Sequence, residues 1–217
     1  MQIFIDSADI NEIEEAMSYG AIDGVTTNPS LLAKSSSNML ETIQSISKIV
    51  SGPISVEVSA TDYEGMIFQG KKILDIADNI VLKLPITWFG LKACKYFYEQ
   101  GNAVNMTLCF TPLQALFAAK AGAAYVSPFI GRLDDIGQDG QELVRDIRVL
   151  FDNYPQYDTQ ILSASIRHTQ HVLMSARAGA DVATIPLNII KELLNHPLTD
   201  KGLDKFLEDW KKSGLSI

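Results

Sequence analysis

Short apolar stretches with strand character alternate with amphipathic helical stretches along all 217 residues, and this alternation limits the possible folds more than any single motif does. The strand candidates are Gln2–Asp6, Gly24–Asn28, Ile54–Ser59, Ile80–Pro85, Ala103–Phe110, Tyr125–Ile130, Gln160–Ile166 and Val182–Pro186. Between them, Asp62–Ala77, Thr87–Gln100, Pro112–Ala121, Gln141–Phe151 and His168–Ala178 carry helical spacing. Gly101, Gly122 and Gly179 each follow such a stretch, where a helix C-terminus favours glycine. About eight β–α units predict a (β/α)8 barrel, here a single domain over residues 1–217 with no linker or low-complexity segment. An open doubly wound sheet is the alternative. It calls for a glycine-rich phosphate loop after an early strand, and Gly137-Gln138-Asp139-Gly140 reads only as a turn before a helix.

Composition narrows the class of function. With 47% hydrophobic and 20% charged residues the chain has an ordinary globular balance. A net charge of -8 argues against nucleic-acid binding and against polybasic attachment to a membrane. Nothing at the start has the form of a secretory leader, and no apolar run approaches spanning length. Cys94 and Cys109 lack metal-ligand spacing and read as structural thiols of a reducing compartment. The expected location is the cytoplasm.

Strand side chains alternate between two faces, and the polar residues fall on one of them. Asp6 goes with Phe4, Thr26 with Asn28, Ser55 with Glu57 and Ser59, Lys83 with Val81, Asn105 with Thr107, and Ser163 with Ser165 and Arg167. The opposite parity is aliphatic or small: Ile3 and Ile5, Val56 and Val58, Val104 and Met106, Leu162, Ala164 and Ile166. In a barrel the aliphatic set meets the helices and the polar set faces the axis, toward the carboxyl ends where barrel enzymes build their sites.

Lys83 is the most telling member, a cation within Ile80-Val81-Leu82-Lys83-Leu84-Pro85. Burial drives an amine toward its neutral, nucleophilic form, whereas a nearby carboxylate favours the ammonium. A free amine in a pocket forms Schiff bases with carbonyl substrates. Asp6 and Glu57 are the acids that could share the accompanying proton transfers. Asp6 could instead cap the helix beginning near Ile10, although Ser7 and Asp9 lie nearer, and Glu57 could pair with Arg132 or Arg167. Ser165 and Arg167, at the end of a late strand before a helix, offer a hydroxyl, a guanidinium and helix-terminal amides to an anion, with Arg132 as a second guanidinium. Arg132 has Asp134 and Asp135 as competing partners.

Val25-Thr26-Thr27-Asn28-Pro29-Ser30, Val81-Leu82-Lys83-Leu84-Pro85-Ile86-Thr87, Asn105-Met106-Thr107, Ser127-Pro128-Phe129-Ile130-Gly131-Arg132 and Ala164-Ser165-Ile166-Arg167 resemble the motifs of short-chain transaldolases, a group that includes the fructose-6-phosphate aldolases. The resemblance runs through the whole chain to His196-Pro197-Leu198-Thr199-Asp200-Lys201-Gly202. It implies class I chemistry on ketose phosphates of the pentose phosphate pathway, with neither metal nor organic cofactor. Lys83 would then form the Schiff base. Asp6 would take the proton from the hydroxyl at the breaking bond, and Glu57 with Thr107 would hold a water that shuttles protons. Asn28, Asn105 and Ser127 would bind the hydroxyls of a dihydroxyacetone unit, supported by Thr26. Arg132, Ser165 and Arg167 would hold the sugar phosphate.

The resemblance also separates two sister activities. The aldolases have glutamine at the place of Glu57 and tyrosine at that of Phe129, so this chain carries the transaldolase pair. That implies transfer between sedoheptulose 7-phosphate and glyceraldehyde 3-phosphate, giving erythrose 4-phosphate and fructose 6-phosphate. A lyase releasing free dihydroxyacetone, a deoxyribose-phosphate-type aldolase and a non-catalytic sugar-phosphate binder are the alternatives. Trp88-Phe89 departs from the relatives' pattern, and packing beneath a neighbouring loop is the expectation for it. His168 and His171 read as surface or helix-start residues, Asp134-Asp135 as a solvated loop and Asp139 as a helix start. A C-terminal helix over about 199–213 presents Leu203, Phe206, Leu207 and Trp210 on one face. It would either close its own barrel or, as in the family resembled, pack on a neighbour in a pentamer or decamer.

Overall fold

A computed structural model describes residues 1–33 and 38–216. Strands β1 (Gln2–Asp6), β2 (Gly24–Thr26), β3 (Ile54–Glu57), β4 (Ile80–Pro85), β5 (Val104–Cys109), β6 (Tyr125–Pro128), β7 (Gln160–Ser163) and β8 (Val182–Ile185) pair in parallel in chain order. β8 closes back on β1, with Gln2 opposite Val182 and Ile5 opposite Ile185. The helices are α1 (Ile10–Ser18), α2 (Pro29–Leu32), α3 (Met39–Ile49), α4 (Tyr63–Leu74), α5 (Trp88–Glu99), α6 (Pro112–Lys120), α7 (Ile130–Asp134), α8 (Gly140–Asn153), α9 (Thr169–Arg177), α10 (Leu187–Leu193) and α11 (Pro197–Ser213). The chain is a (β/α)8 barrel with a C-terminal helix.

Local signals start and stop these helices. Asp9, Asp62, Thr87 and Asp139 cap α1, α4, α5 and α8 with side-chain oxygens. Thr111 and Gln114 form a reciprocal capping box at α6, whose first residue, Pro112, has no amide to satisfy. Gly101, Gly122 and Gly179 adopt φ of +79°, +86° and +84°, the left-handed conformation that ends a helix most cheaply with glycine.

Two apolar layers hold the barrel. Ile5, Val25, Ile54, Val56, Leu82, Val104, Met106 and Val126 face outward into the large core shared with the helices. Inside, Phe4, Leu162, Ala164 and Val182 pack with Tyr125 and Phe129. Full burial of Phe4 stabilises the fold by about 2–3 kcal/mol. This plug beneath the carboxyl-end residues leaves the polar set above it.

The alternation holds for β1 to β5 but reverses at β7. Leu162 and Ala164 belong to the interior, and Ser163 points to the helix layer, where its hydroxyl lies 2.7 Å from that of Ser175 on α9. Ser163 therefore does not share a face with the barrel's polar set. Several strands also end earlier than their composition suggests. Asn28 leaves β2 to cap α2, and beyond β6 only an isolated bridge joins Phe129 to Ala164. Trp88 and Phe89 are exposed, not packed beneath a loop, because they open α5 on its solvent side. α11 begins at Pro197, and none of its residues is buried, so it does not close its own barrel. Cys94 and Cys109 are buried free thiols whose ionisation burial pushes up to about 12.

Candidate active site

Parallel register brings Glu57 on β3 opposite Lys83 on β4, and Lys83 opposite Asn105 on β5. Lys83 is 5% exposed, and its Nζ donates to the Thr27 carbonyl at 3.0 Å, with Glu57 Oε2 also 3.0 Å away. Glu57 thus pairs with the lysine, not with Arg132 or Arg167. A buried cation is costly unless paired and hydrogen-bonded, and both conditions are met here. The first polar shell of the amine consists of groups that can accept its proton or hold it.

On the opposite wall, Asp6 Oδ1 accepts a 2.9 Å bond from the Thr26 hydroxyl, which itself lies 2.5 Å from the Thr184 hydroxyl. Because Thr26 gives its proton to Asp6, Thr184 must donate to Thr26. Burial raises the Asp6 carboxyl above its ordinary value, opposed by the nearby Lys83 charge and by the Thr26 bond. Asp6 is not a helix cap, since Asp9 fills that role for α1. The two carboxylates therefore occupy different environments, one paired with the amine and one held by the Thr26 hydroxyl. That division suits distinct proton-transfer roles.

Asn105 is fixed at both ends of its amide. Its Nδ2 donates to Ser55 Oγ at 3.2 Å, and its Oδ1 accepts from Ser127 Oγ at 2.7 Å. Asn28 commits Oδ1 to the Leu31 amide at 2.9 Å, which leaves its Nδ2 as a donor toward the site. Thr107 Oγ1 is buried and has no hydrogen-bond partner among the described residues. Buried hydroxyls are seldom left so.

These groups border a cavity of about 310 Å³ at the carboxyl ends of the strands. Every residue expected for the site lines it except Glu57, which pairs with Lys83, and the buried Thr107. Leu162, Ala164, Ile166, Thr184 and Pro186 complete the lining. Thr184 was open to detection, because it shares its strand face with Val182 as Asp6 does with Phe4.

Arg132 and Arg167 both line the cavity. The Arg132 guanidinium lies over the Phe129 ring, 5.1 Å from its centroid. Its expected partners are engaged elsewhere: Asp135 meets Arg167 at 2.8 Å, and Asp134 meets His171 Nε2 at 2.7 Å. Asp134-Asp135 is thus not a merely solvated loop. Ser165 lines the cavity, as expected, although it does so through a φ of +61°, a costly conformation for serine, and not through regular strand alternation. His168 caps α9, as a helix-start residue should. His171, by contrast, is buried. Burial and the adjacent His168 lower its basicity, while the Asp134 carboxylate opposes them.

Residues 3–217 match the transaldolase/fructose-6-phosphate aldolase family. A protein of Parvibaculum lavamentivorans named probable transaldolase is 56% identical over 217 residues, covering all of both chains. Another of that name from Geotalea uraniireducens is 57% identical over 212 residues, 98% of this chain and 99% of the other. A third, from Ruegeria pomeroyi, is 56% identical over the full length of both.

Proposed function

Because the chain belongs to the transaldolase/fructose-6-phosphate aldolase family, we propose that it is a transaldolase acting through a Schiff base on Lys83. It moves a dihydroxyacetone unit from sedoheptulose 7-phosphate to glyceraldehyde 3-phosphate, yielding erythrose 4-phosphate and fructose 6-phosphate. The observation that carries this reading is the buried lysine, held between a carboxylate and a carbonyl on the wall of a cavity that Asp6 faces from the other side.

The chemistry follows from these positions. Glu57 takes a proton from the ammonium, and the neutral amine adds to the ketose carbonyl carbon. The carbinolamine loses water as Glu57 returns the proton, through a water that it holds with the unpartnered Thr107 hydroxyl. Asp6 then removes the proton from the C4 hydroxyl, the C3–C4 bond breaks, and the electron pair is stored as an enamine on Lys83. An incoming aldehyde accepts that pair, Asp6 returns the proton to the new alkoxide, and water frees the product ketose. Asn28, Asn105 and Ser127 hold the hydroxyls of the three-carbon unit, with Thr26 behind them. Arg132, Ser165 and Arg167 hold the phosphate. Phe129 has no hydroxyl with which to assist hydrolysis of the waiting enamine, which favours transfer over release of free dihydroxyacetone.

No metal or organic cofactor enters this mechanism. The reading puts the enzyme in the cytoplasm and in the pentose phosphate pathway, as one uninterrupted barrel domain. It also makes the exposed apolar face of α11, with Leu203, Phe206, Leu207 and Trp210, a contact with another copy of the chain in a pentamer or decamer.

Release of glyceraldehyde 3-phosphate from fructose 6-phosphate, with and without erythrose 4-phosphate, tests the activity. Wild type should release it in a sustained way only with the acceptor, and Lys83→Met should lose both turnover and borohydride-trapped adduct. Sustained release without acceptor would identify an aldolase instead.

A further inference from the structure

The two guanidiniums that face the phosphate position belong to different elements, Arg132 to α7 and Arg167 to the segment between β7 and α9. Their separation is therefore only as well defined as the junction between those elements. That junction is close. A Cβ on Gly131 would lie 2.2 Å from the Ser165 carbonyl oxygen and 2.9 Å from Arg167 Cγ. The Ile130 amide also donates to the Ala164 carbonyl at 3.1 Å.

His171 spans the same junction from the first turn of α9. Its Nδ1 accepts from the Arg167 amide at 3.2 Å, and its Nε2 donates to Asp134 Oδ2 at 2.7 Å. The other Asp134 oxygen accepts from the Gly140 amide at 3.0 Å, which anchors the carboxylate to the start of α8. One imidazole tautomer satisfies both bonds, with the proton on Nε2. The ring is held on the helix side too, 3.7 Å from the His168 ring, whose Nδ1 accepts from the His171 amide at 3.3 Å.

We propose that His171 is a positioning residue for the phosphate end of the substrate, a clip between Asp134 and the Arg167 backbone that sets the spacing of the two guanidiniums. This rests on the transaldolase reading above. His171 does not line the cavity, so its effect passes through Arg167 and α7.

Two variants test the clip. His171→Leu removes both bonds, and Asp134→Ala removes one of them from a side chain that is 39% exposed and so is tolerated by the fold. Each should raise KM for fructose 6-phosphate about tenfold or more, with kcat changed less than threefold. Their effects should be non-additive in the double variant, as for groups joined by one bond. His171→Asn, which can still accept from the Arg167 amide but loses the Asp134 bond, should match Asp134→Ala and not exceed His171→Leu. Dihydroxyacetone has no phosphate, so borohydride trapping of its adduct on Lys83 should stay at the wild-type level in every variant.

Unchanged KM in folded variants would overturn the proposal. So would a joint loss of kcat, KM and dihydroxyacetone trapping, which would mark a merely structural role. If wild type itself neither traps dihydroxyacetone nor turns over fructose 6-phosphate, the transaldolase reading fails, and the clip falls with it.

Discussion

In the proposed mechanism Asp6 combines a catalytic demand with an energetic cost. Its carboxyl is raised in the folded chain mainly because it is buried, so the native state binds this proton more readily than the unfolded state does. The stability this contributes is fully present below the ordinary carboxylate value of 3.8 and is lost as pH climbs through the raised one. At neutral pH the ionised form is therefore a liability. Asp6→Asn keeps an oxygen for the Thr26 hydroxyl and removes the charge. At pH 7 it should raise Tm by about 2–4 °C, the shift that about 1 kcal/mol produces in a chain of this size. Near pH 3 the difference should vanish. Transfer activity should fall by roughly 10²–10⁴, the usual worth of a general acid–base. Thermal scans at both pH values, beside the transfer assay, separate the two effects.

α7 is short, and its placement depends on Gly131 more than on its own hydrogen bonds. In Gly131→Ala the added methyl meets the Ser165 carbonyl, which is backbone and cannot swing aside. The expected cost is about 1–3 kcal/mol in stability. It should come with a several-fold rise in KM for fructose 6-phosphate and no loss of dihydroxyacetone trapping; equal KM values would refute the packing account. The same region shows where sequence stops being readable. From β1 to β5 the polar parity is regular: Asp6, Thr26, Lys83 and Asn105 line the cavity, and Glu57 pairs with Lys83. Beyond Thr107 a left-handed Leu108, φ +60°, interrupts β5 as its pairing with β6 shifts register. Ser163 turns outward because Ser175 offers it a buried hydroxyl, and Ser165 turns inward through backbone strain. Neither event has a periodic signature. His171 looked bland for another reason. Its partners, Asp134 and the Arg167 amide, come from separate elements, and no spacing along the chain announces that they meet.

For the molecule as a whole, the outstanding surface feature is α11. Leu203, Phe206, Leu207 and Trp210 are 44% exposed or more, a contiguous apolar face on a helix without a buried residue. Light scattering should return a mass of five or ten chains, and deletion from Pro197 onward should lower that mass. A monomer of full activity would refute the contact with another copy. The barrel itself was legible because each β–α unit punctuates its ends with local chemistry. The exposure of its last helix was not, because an amphipathic face left open looks in sequence like one that its own chain covers.

The hydroxyl relay from Thr184 through Thr26 to Asp6 joins residues from β8, β2 and β1, on either side of the seam where the barrel closes. A growing chain makes Asp6, on the first strand, long before Thr184, on the eighth. Until the last strand is synthesised and docks against the first, the acid lacks its completed relay. Under the transaldolase reading, the acid's surroundings would thus be among the last parts of the barrel to be completed: no fragment ending short of β8 carries the Thr184 hydroxyl.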